Sequence, residues 1–316
     1  MPALKQLTRR SFLCACGGAS LALATLPPGA NAATADGLSL GFSQYGMKSL
    51  APGDALKTIA GIGYDSVELA LLPGWPTEPK LLSPAQRKEL CAQLGGRRLG
   101  LPALMENLNA LADDRAHQLN LEKIRAAAQL AHDLAPDNPP VLETVLGGAP
   151  AQWDQVKDRL VERLKTWADA AAAAKIVLAG KPHVGGAVHT PEAALWVWRQ
   201  VNSPAFKLVF DHSHYQLHGL ALADTLKALL PQSVFIHVKD ARGDAAKFEF
   251  LLPGEGTVDY AEYFRLVHAG GYRGAVMVEV SGQIFNKPGY DPVAAARKSY
   301  SVLSTARQKA GLGRRL

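Results

Sequence analysis

The chain has 316 residues, which matches one barrel-sized domain of about 250 residues with some extra length. Hydrophobic residues make up 48% and charged residues 20%, a balance suited to a soluble globular protein with a large core. The formal charge of +6 is modest and no basic run is interleaved with aromatic residues, which sets nucleic acid aside as a partner.

Thr8-Arg9-Arg10-Ser11-Phe12-Leu13 resembles the twin-arginine export motif. The apolar stretch that follows, from Phe12 to Leu26, is short against the roughly 20 residues of a spanning helix and carries Gly17 and Gly18. Pro27-Pro28 end it, and Ala30-Asn31-Ala32 has the small-x-small form of a cleavage site. Residues 1–33 are therefore expected to be a removed export signal and residues 34–316 the folded domain. A membrane anchor and a lipid on Cys16 are the rival readings. Removal takes away Lys5, Arg9 and Arg10, bringing the charge from +6 to +3. It also takes Cys14 and Cys16. Cys91 then remains alone, so no internal disulfide can form and stability must come from the core. The expected location is periplasmic or otherwise extracytoplasmic. No other segment is long and apolar enough to cross a membrane.

Strand-like and helix-like segments alternate from there on. The patterning predicts strands over 38–47, 64–71, 98–104, 141–146, 175–179, 206–210, 234–238 and 275–280. Helices are predicted over 54–62, 83–94, 115–134, 153–174, 221–230, 260–268 and 292–307, with another opening at Thr190-Pro191-Glu192. Ser83 and Thr190 read as N-caps, each followed by a proline at the first helical position. Strict alternation implies parallel strands with right-handed crossovers, and eight units close a (β/α)8 TIM barrel. An open doubly wound sheet is the alternative. It calls for an early glycine-rich phosphate turn, but Gly61-Ile62-Gly63 precedes a strand instead of following one.

The active site of such a barrel lies at the C-terminal ends of its strands. Glu68, Glu106, Asn107, Glu143, Lys181, His183, Asp211, His212, His214, His237, Lys239, Asp240 and Glu279 all fall there. A ring of ionisable groups around one axis is costly unless something uses it. Taken singly, Lys239 and Asp240 read as a solvated pair, His212 as a satisfied histidine and Glu68 as the partner of a barrel lysine. Taken as a set, Asp211, His214, His237 and Glu279 suit a divalent ion such as Mn²⁺, Mg²⁺, Co²⁺ or Zn²⁺. Tyr45, Trp75, Phe250 and Tyr290 are candidates to stack on a sugar face. The Gly/Pro-marked loop 247–259 is a candidate lid.

These residues also carry a family resemblance. Gly63-Tyr64-Asp65-Ser66-Val67-Glu68-Leu69, Asp211-His212-Ser213-His214, His237-Val238-Lys239-Asp240, Gly254-Glu255-Gly256 and Val278-Glu279-Val280 resemble, in order and spacing, the motifs of the sugar phosphate isomerase/epimerase (xylose isomerase-like) family. The resemblance implies a metal held by Asp211, His237 and Glu279, a substrate-binding role for His214, and proton transfer by Glu279 beside a metal-polarised carbonyl. Lys239, Glu68 and His183 are further expected substrate contacts.

One position departs from the family. Lys181-Pro182-His183 stands where the family has a glutamate that both ligates and moves a proton. Three consequences are open. His183 or Glu143 completes the metal shell; Lys181 acts as a cationic oxyanion stabiliser or, with a lowered pKa, as a base; or metal and catalysis are both lost, with Glu279, Glu143 and Lys181 the expected catalytic residues. The expected activity is a sugar isomerase, an epimerase, or a lyase on a keto-glycoside, with a small carbohydrate as partner and self-association left open. A non-catalytic periplasmic carbohydrate-binding barrel is the alternative. A repair nuclease of the endonuclease IV type, which shares the barrel, is disfavoured by the mild charge and the export signal.

Overall fold

The computed structural model describes residues 33–314, so the expected export signal lies outside the described residues except for Ala33, and the expected cleavage motif Ala30-Asn31-Ala32 lies outside them entirely. The strands are β1 (Ala33–Ser43), β2 (Ser66–Ala70), β3 (Gly100–Met105), β4 (Val141–Val145), β5 (Leu178–Lys181), β6 (Phe206–Asp211), β7 (Ser233–Val238), β8 (Asp240–Gly243), β9 (Phe248–Leu251) and β10 (Ala275–Val278). Eight of them close a barrel in the order β1-β10-β7-β6-β5-β4-β3-β2, and the other two, β8 and β9, form a separate antiparallel hairpin. Every barrel pairing is parallel. The long helices between strands are α1 (Pro52–Ile62), α2 (Pro84–Arg97), α3 (Asp114–Leu134), α4 (Trp153–Ala173) and α5 (Pro191–Val201). A short α6 (His212–Gln216) precedes α7 (Leu222–Leu229), then come α8 (Tyr260–Ala269), a short α9 (Gly282–Phe285) and α10 (Pro292–Lys309).

The helix starts follow from local chemistry. Ser83 and Gln86 form a reciprocal capping box at α2, and Thr190 Oγ1 accepts from the Ala193 N–H at α5. Asp113, Asp259 and Asp291 cap α3, α8 and α10 in the same way. β5 begins later than the apolar pattern suggests. Lys175 adopts φ 57° just past α4 and its N–H bonds back to Ala172, so the chain turns out of the helix there and the strand starts only at Leu178. Lys181 is consequently the last residue of β5 and not part of the loop beyond it.

Outward-facing strand residues such as Leu104, Leu142, Leu208, Phe210, Ile236 and Val276 pack into one continuous core with the helices. Inward-facing residues make a second, smaller cluster of Ala103, Ala179, Val209, Phe235, Ala275 and Met277 that plugs the barrel. Gly41 serves this plug, since a Cβ there would lie 2.4 Å from the Met277 side chain.

Beneath the plug, buried Arg307 of α10 donates to Leu38 O at 2.8 Å and to Asp65 Oδ2 at 3.1 Å. Asp65 also accepts from Leu40 N at 2.9 Å and from Arg314 Nε at 2.7 Å, which ties the last helix to the start of β1 and β2. Arg307→Met should strip one partner from a buried carboxylate and destabilise the protein by about 3 kcal/mol. Thermal unfolding checks this, with the melting temperature expected to fall by roughly 6 to 12 °C.

Candidate active site

Side chains alternate along a strand, so the residue two beyond an inward plug residue also faces the lumen, one layer nearer the C-terminal mouth. That rule places Glu143 above Val141, Lys181 above Ala179, Asp211 above Val209, His237 above Phe235 and Glu279 above Met277. All five are buried. The plug below them is apolar, so these charges have only one another and the mouth of the barrel to answer to.

They answer through two lysines. Lys239 Nζ is bonded to Asp211 Oδ2, reaches Glu279 Oε2 at 2.5 Å and lies 3.4 Å from His214 Nε2. Lys181 Nζ donates to Glu279 Oε1 at 2.8 Å and sits 3.1 Å from His237 Nδ1. Glu279 is thus gripped by one ammonium on each oxygen. Burial would raise its carboxyl, but Lys181 and Lys239 outweigh that and hold it well below the usual range. Burial would also raise Asp211, and Lys239 with His214 holds it low instead. Lys181 is buried, which works against its charge, yet Glu143 and Glu279 keep it above the ordinary lysine value. Lys181 is therefore a fixed cation. Its carboxylate neighbours work against the lowered pKa that a base at this position needs.

The histidine tautomers follow from their partners. His214 is lowered to about 4, by burial first and then by Lys239, so its ring is neutral. Its Nδ1 accepts from Val184 N at 3.3 Å, which leaves the proton on Nε2, facing Asp211 Oδ2 at 3.4 Å. His237 Nε2 lies 3.2 and 3.1 Å from the two Glu68 oxygens. With Lys181 on its Nδ1, the Nε2–H points at Glu68. Burial lowers the His237 pKa, but Glu68 more than offsets it and the net shift is upward. His183 packs its ring 4.1 Å from that of His214 and is pushed down to about 2, chiefly by burial.

Glu143 is the exception to this pairing. It is buried, its Oε2 has no hydrogen-bond partner among the described residues, and burial pushes its carboxyl up to about 7 against the pull of Lys181 and His237. It opens on a cavity of about 350 Å³ that it shares with Lys181, Lys239 and Glu279. This lies at the small end of the range for ligand pockets. Tyr45, Phe250, His183 and His214 form further walls. Burial raises the Tyr45 phenol, which therefore keeps its proton.

Two groups of donors within the described residues have ligand atoms close enough to hold an ion: Glu68, Glu143 and His237, and Asp211, His214 and Glu279, with all atoms of a group within 4.8 Å of one another. The expected trio of Asp211, His237 and Glu279 is therefore split between two groups, although His237 Nδ1 does lie 3.7 Å from Glu279 Oε2. The second group already holds an ammonium where an ion would sit. Lys239 Nζ contacts all three members of the second group, and the His214 nitrogen turned toward that group carries a proton. In the first group His237 gives its Nε2–H to Glu68 and keeps its lone pair on Nδ1, where Lys181 Nζ stands at 3.1 Å. The unpartnered Glu143 oxygen is the one feature an ion would satisfy, and a proton satisfies it equally well at a pKa of about 7.

The remaining expectations divide. Glu68 is fully buried, absent from the cavity wall and hydrogen-bonded to His237 Nε2. Asp211 and His237 also stand behind the wall. Asp240 is no solvated residue. It accepts from Gly254 N at 2.7 Å and Gly256 N at 2.9 Å, and a Cβ on Gly256 would lie 2.8 Å from the Asp240 side chain. The Gly-Glu-Gly turn thus anchors the chain that carries the β8–β9 hairpin. Part of the expected lid loop is this hairpin, and it delivers Phe250 to the cavity. His212 is a satisfied buried histidine, its Nδ1 3.3 Å from Thr225 Oγ1. Glu106 pairs with Lys123, while Asn107 reaches the cavity. Trp75 stacks behind Tyr45 at 5.2 Å, and the Tyr290 hydroxyl is spent on Gly46 O. Sequence reasoning passed over the wall made by Gly147-Gly148 and Gly185-Gly186, though two glycine pairs straight after β4 and β5 were a readable sign of it.

Known proteins share this arrangement of strands. An inosose dehydratase of Yersinia enterocolitica is 29% identical over 138 residues, covering 38% of this chain and 43% of that enzyme. The chain spans about half the length of the inosose dehydratases it matches. The crystal structure of a 3-keto-D-glucoside 4-epimerase from E. coli superposes with a TM-score of 0.66 at 18% identity, over 85% of this chain and 99% of that one. A zinc-bound structure of the IolI protein gives 0.70 at 18% identity, over 85% and 99%. The family model described as a xylose isomerase-like TIM barrel matches residues 56–305. The chain therefore belongs to the xylose isomerase-like TIM barrel family.

Proposed function

We propose that this protein takes a proton from the carbon beside the carbonyl of a small, unphosphorylated keto-sugar or keto-cyclitol and then expels a neighbouring group, a lyase reaction on an epimerase-type scaffold. The observation that carries this reading is one carboxylate poised near neutrality beside two fixed ammoniums. Glu143, at about 7, is the base, since a general base works best with a pKa near the working pH. Lys181 and Lys239 line the same cavity and offer positive charge to the carbonyl oxygen as negative charge builds on it. Burial strengthens that attraction.

Epimerisation on two opposed bases needs a second carboxylate able to hold a proton. Glu279, gripped by both ammoniums, is held ionised, which favours elimination. Tyr45 keeps its phenol proton on the same cavity wall and supplies a donor for the departing oxygen. Both cavity lysines are already committed to carboxylates, so no surplus cation awaits a phosphate. Relatives named for an inosose and for a 3-keto-glucoside support a ketone-bearing ring as substrate.

Incubation with free, glycosidic and 3-keto sugars, followed by NMR, tests the reading. An unsaturated keto-sugar is the expected product. Saturable sugar binding with no conversion of any member of the panel would favour a binding protein instead.

We further propose that the protein works outside the cytoplasm, a reading supported by Arg9-Arg10 and the apolar stretch after them. Cell fractionation is expected to find the wild type outside the inner membrane and the R9K/R10K variant retained in the cytoplasm.

A further inference from the structure

We infer that the ammoniums of Lys181 and Lys239 take the place of the divalent cation in this chain, so that the site excludes a metal ion and operates without one. The geometry of Lys239 is the primary observation. Its Nζ makes contact with Asp211, Glu279 and His214, the three residues whose ligand atoms surround a single point. A cation bound there has to push that ammonium out. Lys239 is buried, and its other close neighbour is the ring of Phe250, 4.9 Å from Nζ, so a displaced ammonium would lose both carboxylates and gain nothing comparable.

Lys181 provides the second, independent observation. It stands at the last position of β5, across from Glu279, and contacts Glu279 and His237 at once. One ammonium bridges Asp211 and Glu279 and the other bridges Glu279 and His237. Together they carry the two positive charges that one divalent ion would bring. Asp211 and Glu279 are both paired in place, so an ion added beside the ammoniums meets no unpaired charge on either. The His214 proton reinforces the exclusion at the Lys239 position, because Nε2–H, not a lone pair, faces Asp211. Lysine also differs from a metal in what it offers substrate: a directional N–H donor on a movable stem, not an open coordination position.

The part of this inference that concerns turnover rests on the proposed function, but ion exclusion does not. Elemental analysis of purified protein, with Mn²⁺ titration followed by the EPR signal of free Mn²⁺, reads the ion directly. The wild type is expected to contain no stoichiometric divalent metal and to show no saturable Mn²⁺ binding. K181E, which removes one ammonium and adds a carboxylate, is expected to take up Mn²⁺ saturably, at one equivalent. A wild type that takes up one equivalent of Mn²⁺, with uptake lost in Glu279→Gln, would overturn the inference even if K181E failed to fold. Because the readout is bound ion, an inactive protein that excludes Mn²⁺ counts against the proposed lyase reading alone. An active protein that holds Mn²⁺ counts against ion exclusion alone.

Discussion

Glu143→Gln is expected to lower kcat by about 10³-fold, within the range seen when a general base is removed. Glutamine keeps the shape and can still accept a hydrogen bond, but it cannot take up a proton. Sugar affinity should change little, because Tyr45, His183 and Phe250 remain as walls. The pH profile gives the sign. Glu143 must be ionised to act, so kcat/KM should climb with pH and level off above about 7. Stability should move the opposite way. Between the ordinary glutamate value of 4.5 and about 7 the folded protein binds a proton that the unfolded chain releases, so stability falls as pH rises through that window. Melting curves of wild type and Glu143→Gln across the window check this, with the variant showing the shallower decline.

Lys239→Met is expected to cost both stability and activity. The substitution keeps most of the stem but leaves Asp211 Oδ2 and Glu279 Oε2 without their shared ammonium. Removing one partner of a buried ion pair costs about 3 to 5 kcal/mol, because the charges left behind stay desolvated. For a domain of this size that is a fall in melting temperature of roughly 6 to 20 °C. Asp211 and Glu279 are held below the ordinary carboxylate range in the wild type, so the stability they contribute is present above that range and is lost as pH drops through their lowered values. The variant should lose this acid tolerance, and calorimetry at pH 7 and in mild acid separates the two. Turnover should fall as well, since Lys239 faces the cavity where charge develops.

The barrel was legible because its strands announce themselves. Leu104, Leu142, Leu208 and Ile236 sit in short apolar runs that only a strand buried on both faces needs, and capped helices separate them. The β8–β9 hairpin was not legible. Its residues alternate weakly and follow β7 after a single residue, where the scheme of one strand per helix reads only a loop. The identity of the site was also readable, because ionisable residues recur two positions after apolar plug residues. Its wiring was not. A lysine stem spans the width of the barrel mouth, so a strand-end position does not say which carboxylate its ammonium reaches, and Lys239 joins residues 28 and 40 positions away. Glu143 was legible as a ligand or a catalytic group, but its protonation was not, for the same reason. Its special character lies in what it lacks, a hydrogen-bond partner for Oε2, and that appears only once every neighbour is placed.

The central claim is that Glu143 takes a proton from carbon beside a ketone. The direct measurement is deuterium entry from D₂O into a 3-keto sugar, followed by NMR with wild type and Glu143→Gln side by side. The account predicts label at the carbon next to the carbonyl, or in the elimination product, with wild type alone. Label appearing at equal rates with both proteins, or bound sugar that exchanges with neither, would contradict it.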